Sequence, residues 1–89
     1  MSDERFQLMK ICEDKLITLK KKYLSILSMQ NDQISIFDKA RLRHILPEIA
    51  YALARIKNGN YGICEETGED IETTRLLAVP WTRVCVKAI

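Results

Sequence analysis

Cys64, Thr67, Cys85 and Ala88 stand at the four positions of a C-x2-C-x17-C-x2-C frame, the spacing of a four-cysteine zinc ribbon. A structural zinc site needs four donors in a closed tetrahedron, and thiolates in this spacing supply them. Here only two thiols remain. Thr67 offers a poor neutral oxygen and Ala88 offers nothing. Glu65, Glu66 and Asp70 lie close in sequence and carry oxygen donors, but the frame is built for sulfur; His44, the lone histidine, is far away in the chain. The expected cofactor is therefore none, with zinc held weakly if at all. Apolar packing around Trp81 is expected to take the metal's place. Cys64 and Cys85 should lie close together, with geometry suited to a disulfide. In a reducing cytoplasm an inert, vestigial thiol pair is the expected state, and a redox switch is the alternative.

The second chemistry-bearing residue is Asp38. It stands at the start of an apolar-periodic stretch, where its carboxylate is placed to accept the free N–H groups of a first helical turn. Nothing else looks catalytic. No nucleophile–base pair, phosphate loop or metal triad is visible, so an enzyme is not expected.

These positions must be held by two long helices and a small terminal module. From Asp3 to about Met29, apolar residues fall at Met9, Cys12, Leu16, Leu19, Tyr23 and Ile26, a 3-4 spacing that fits a helical seam. Phe6, Leu24 and Leu27 widen the stripe. Gln30 to Gln33 are polar and turn-prone, and Ile34 to Phe37 are ambiguous. A second helix, from Asp38 to about Asn58, repeats the spacing at Leu42, Ile45, Ile49, Ala52 and Ile56, with Leu46 and Leu53 flanking it. Pro47 lies inside it and predicts a kink or a restart. Asn58-Gly59 ends it, because glycine takes the left-handed conformation of a helix C-cap freely.

The fold class expected is mainly α: an antiparallel two-helix coiled-coil hairpin over 1–58, with its tip at 30–40, and a zinc-ribbon-like module over 59–89. The two are expected to form one structural unit. At a rise of ~1.5 Å per residue the second helix spans roughly 30 Å, which makes the molecule a rod with a compact foot.

Composition narrows the function classes. The 89 residues allow one small domain, 47% of them hydrophobic and 29% charged. A net charge of +2 is too small to argue for sequence-specific nucleic-acid binding, and Lys20-Lys21-Lys22 reads as a solvated helix face. The polar start MSDERFQ and the lack of a ~20-residue apolar run point away from the membrane and to the cytoplasm. Three cysteines do not suggest a secreted disulfide framework.

The second half of the chain resembles the DksA/TraR family of bacterial regulators that bind RNA polymerase. The likeness is carried by Ala54-Arg55-Ile56, Gly59-x-Tyr61-Gly62-x-Cys64, Gly68-x-x-Ile71, Arg75-Leu76-x-Ala78-x-Pro80 and Cys85, over about half of the chain. The resemblance implies a coiled-coil hairpin inserted into the polymerase secondary channel, with acidic tip residues acting near the catalytic Mg²⁺ centre. The family's tip pattern is D-x-x-D-x-A, and Ser35, Asp38 and Ala40 fall on its three fixed positions, with Ser35 replacing the first Asp. Arg55, Lys57, Arg75 and Arg83 become candidates for docking on acidic polymerase surface. Members that work with the alarmone ppGpp place basic residues where this chain has Val79 and Ile89, so independence of ppGpp is expected. The competing reading is a helical interaction module, such as a homodimer. It rests on the apolar surplus of Phe6, Leu24, Leu27 and Leu46.

Overall fold

The structure, a computed structural model, describes residues 3–28 and 35–86. The tip residues 29–34 and the positions Ala88 and Ile89 lie outside the described residues.

Helix α1 (Asp3–Ser28) begins with Asp3 and Glu4, whose charges complement the positive end of the helix dipole. Helix α2 (Ile36–Asn58) starts two residues before the expected Asp38. Its N-cap is Ser35, in extended conformation, whose Oγ accepts the backbone N–H of Asp38 at 3.1 Å. The capping role expected of Asp38 thus belongs to Ser35. Serine three residues ahead of an acidic residue is the pattern of a capping box, and the nearer hydroxyl wins the cap. Ser35→Ala is expected to cost about 1 kcal/mol of stability, read as a lower urea midpoint at unchanged m-value.

Pro47 does not restart the helix, and α2 runs through it as one element. Pro47 is on the exposed side. There the carbonyl left unpaired by the missing N–H can be solvated. The helix closes at Gly59 (φ 80°) with the paired bonds of a Schellman turn, Gly59 N–H to Ile56 O at 3.2 Å and Asn60 N–H to Arg55 O at 2.8 Å.

The helices are antiparallel, because the start of α1 and the end of α2 meet the same terminal module. Arg5 donates to the carbonyls of Gly62 and Ile71 at 3.0 and 3.1 Å, while Arg55 donates to those of Asn60 and Ile63. The hairpin then extends to one side, giving extents of 45 × 25 × 21 Å. No helix among the described residues is long and apolar enough to cross a membrane.

One buried cluster runs from the hairpin into the foot: Leu8, Cys12 and Leu16 of α1, Ile49 and Ala52 of α2, then Tyr61, Cys64, Ile71, Leu76 and Cys85. Leu8, absent from the expected seam, is buried, whereas Met9 is only half-buried. The reason is the foot, which covers α1 from the side and moves the buried stripe toward it. Phe6 and Leu24 stay exposed, while Leu27 and Leu46 are half-buried.

The foot carries a short helix α3 (Thr73–Ala78) and a single bridge between Ile63 and Asp70, with no strand among the described residues. Its packing centre is not Trp81, which sits half-buried at the edge. Ile71 and Leu76 fill the centre, each 1% exposed.

Candidate functional site

The residues with chemistry gather at opposite ends of the rod. At the tip, Ser35, Asp38 and Ala40 occupy the cap and first turns of α2, all three exposed. With the cap supplied by Ser35, the Asp38 carboxylate makes no hydrogen bond or ion pair among the described residues. The positive end of α2 favours its negative charge. Phe37, between them, is 85% exposed. The first turns of α2 thus present a carboxylate and an aromatic ring to solvent.

In the foot, the turn after the bridge is tied by Cys64 N–H to Glu69 O at 2.8 Å and Gly68 N–H to Cys64 O at 2.9 Å. Gly68 has φ 75°, which a side chain would resist. This turn aims Cys64 inward. Cys85 arrives from the other side, and its backbone N–H donates to Cys64 Sγ at 3.2 Å. The Thr67 hydroxyl lies 3.7 Å from Cys85 Sγ. Three of the four frame positions therefore come together, as the spacing requires. Both cysteines are free and buried, and so is Cys12, which belongs to the core.

Zinc does not fit this donor set. Two sulfurs and a neutral hydroxyl fall short of four ligands, and no group of three His, Cys, Asp or Glu side chains is placed to hold a metal among the described residues. Of the nearby carboxylates, Glu65 pairs with Arg55 at 3.7 Å and Asp70 with Arg5 at 3.9 Å, while Glu66 is exposed. His44 is exposed on α2, well before the helix reaches the foot.

Burial pushes the Cys64 thiol up, but hydrogen bonds from the Thr67 hydroxyl and from the N–H groups of Cys85, Thr67 and Glu66 outweigh it. Together they bring the pKa to about 6. Folding thus favours the thiolate. The stabilisation is complete above the unfolded value of 9.0 and is lost as pH falls toward about 6. Urea melts of the reduced protein across that window are expected to show the gap between the wild type and Cys64→Ala narrowing at the acid end.

The cationic candidates divide. The Arg55 side chain is 11% exposed and spends its guanidinium on Asn60 O, Ile63 O and Glu65. Arg75 donates to Val84 O at 2.9 Å and Thr82 Oγ1 at 3.3 Å. Arg83 forms a two-pronged pair with Glu48 and stacks 4.3 Å from the Tyr51 ring centroid. Arg55 and Arg83 brace the foot against α2, while Arg75 ties α3 to the last turn within the foot. Lys57 is exposed and has no such partner among the described residues.

Sequence reasoning missed Arg5 and Glu48, which tie the two helices to the foot. Neither has a local pattern that points to it, since their partners stand 57–66 and 35 positions away. Phe37 was legible as apolar, but its exposure depends on where α2 begins.

Residues 59–88 match the prokaryotic dksA/traR C4-type zinc finger. The RNA polymerase-binding transcription factor DksA of Caulobacter vibrioides is 46% identical over 48 residues, 54% of this chain and 34% of that protein. The chain spans about a third of the length of the curated relatives it matches. Among solved structures, the RNA polymerase binding protein and transcriptional regulator of Chlamydia trachomatis superposes with a TM-score of 0.71 at 27% identity, over 99% of this chain and 86% of that one. Transcription factor DksA2 of Pseudomonas aeruginosa gives 0.77 at 23% identity, over 92% and 80%, a likeness of fold.

Proposed function

We propose that the chain is a member of the DksA/TraR family and, with it, a cytoplasmic, non-enzymatic regulator of transcription that binds bacterial RNA polymerase. Its hairpin enters the secondary channel and its tip acts near the catalytic Mg²⁺ centre. Asp38 is the acting group, with Ser35 holding it and Ala40 keeping the next turn narrow. A carboxylate brought toward a bound cation perturbs the cation's local field and the groups around it. Lys57 contacts acidic polymerase surface at the base of the hairpin, while Arg55, Arg75 and Arg83 shape the docking face.

The observation that carries this reading is the separation of labour at the start of α2. Ser35 caps the helix, so Asp38 is left exposed at the far end of a rod 45 Å long. A carboxylate serving only as a cap would have its oxygens turned to the backbone. The test is co-purification with core RNA polymerase: tagged protein is expected to retain polymerase stoichiometrically, and failure to retain it would remove the reading. Val79, half-buried as the C-cap of α3, offers no cation to ppGpp. Binding is expected to be the same with and without the alarmone.

A further inference from the structure

The cysteine pair is poor for zinc but has the right chemistry for a different ion. We propose that Cys64 and Cys85 form a two-coordinate site for a soft monovalent cation, and that Cu(I) is the ion it takes. This inference stands on the foot alone and does not depend on the polymerase reading.

The donor set carries the argument. Soft thiolate ligands select Cu(I), and a filled d shell imposes no need for four donors. Two sulfurs on opposite sides of an ion satisfy it, whereas the same two leave Zn²⁺ half-coordinated. Here the two sulfurs share one small space: Cys85 N–H donates to Cys64 Sγ at 3.2 Å, and the Thr67 hydroxyl lies 3.7 Å from Cys85 Sγ. Each sulfur belongs to a residue 1% exposed, which excludes competing water. Two nearby hard oxygen donors are engaged elsewhere, Glu65 with Arg55 and Asp70 with Arg5.

Entry is short. Cys64 lines a surface cleft of about 480 Å³ with Tyr51, Arg55, Asn60 and Glu65, and residues 65–70, between the two cysteines in the chain, are exposed. Binding forms two S–Cu bonds and sends the thiol protons to solvent, with no change of oxidation state. The resulting bis-thiolate centre carries one negative charge. The N–H donors to Cys64 and the nearby Arg55 guanidinium stabilise it, and the Thr67 hydroxyl orients the sulfurs from outside the coordination shell.

The experiment is an anaerobic titration of the reduced full chain with Cu(I), in competition with a chromogenic Cu(I) chelator. One equivalent per chain is expected to resist the chelator, with sulfur-to-copper charge-transfer absorption. Cys64→Ala and Cys85→Ala should each abolish it, and Cys12→Ala should not. Circular dichroism reports whether the cysteine variants still fold. Thr67→Val leaves both thiols in place and is expected to weaken Cu(I) about 10–100-fold. Zn²⁺ added instead should be stripped by a weak chelator. Absence of a chelator-resistant equivalent overturns the proposal, and so does binding that survives both cysteine replacements or ignores Thr67→Val.

Discussion

Asp38→Asn is expected to leave polymerase retention and thermal stability essentially unchanged while removing most of the chain's effect on transcription from an unstable promoter. The substitution preserves shape and deletes one charge. Asp38 holds no partner among the described residues, so the fold loses only its favourable placement at the positive end of α2, about 0.3–1 kcal/mol. At the site of action the same charge weighs more. Two unit charges 4 Å apart interact by about 4 kcal/mol at an effective dielectric of 20, enough for an order of magnitude or more in a promoter-complex equilibrium. Run-off transcription with wild type and variant, at matched polymerase occupancy, makes the comparison. Equal effects would move the activity away from Asp38 while leaving the binding reading in place.

The second large effect concerns the foot. Leu76→Ala is expected to destabilise the protein by about 2–5 kcal/mol, a large part of the ~5–15 kcal/mol that holds a small domain together. Leu76 is 1% exposed and α3 delivers it to the junction with α1, where Cys12 Sγ approaches its carbonyl at 3.7 Å. With two of the four frame thiolates replaced, such packing and the arginine braces carry much of the foot's stability. Its neighbour Leu77 is 36% exposed, and Leu77→Ala is expected to cost less than half as much. Urea melts of both variants decide this, and equal losses would mean that the foot's stability lies outside this core.

The sequence readings succeeded where a repeated local signal existed. The 3-4 spacing of both helices is a statement about one face, and Cys12, Leu16, Ile49 and Ala52 are buried as that face requires. The turn at Asn58-Gly59 was legible because only a left-handed residue closes a helix that way. The convergence of Cys64, Thr67 and Cys85 was legible from spacing, since the turns that frame a metal site survive the loss of two ligands. The misses arose where competing residues stood close together. Ser35 and Asp38 can each cap α2, and the sequence ranks them alike; the hydroxyl one residue before the first turn takes the bond. Trp81 drew the eye by size, but the centre of a foot built on a short helix goes to residues that α3 and the bridge point inward, Leu76 and Ile71. Burial of Leu8 and the work of Arg5 depend on contacts with the distant foot, which no window along α1 contains.

The central claim is that the hairpin tip, and not the foot, reaches the polymerase interior. A photo-crosslinking amino acid in place of Ala40, an exposed position one turn from the cap, tests it most directly. The account predicts crosslinks to polymerase residues lining the secondary channel near the catalytic Mg²⁺. Crosslinks confined to the outer polymerase surface, or none while polymerase is still retained, would contradict it.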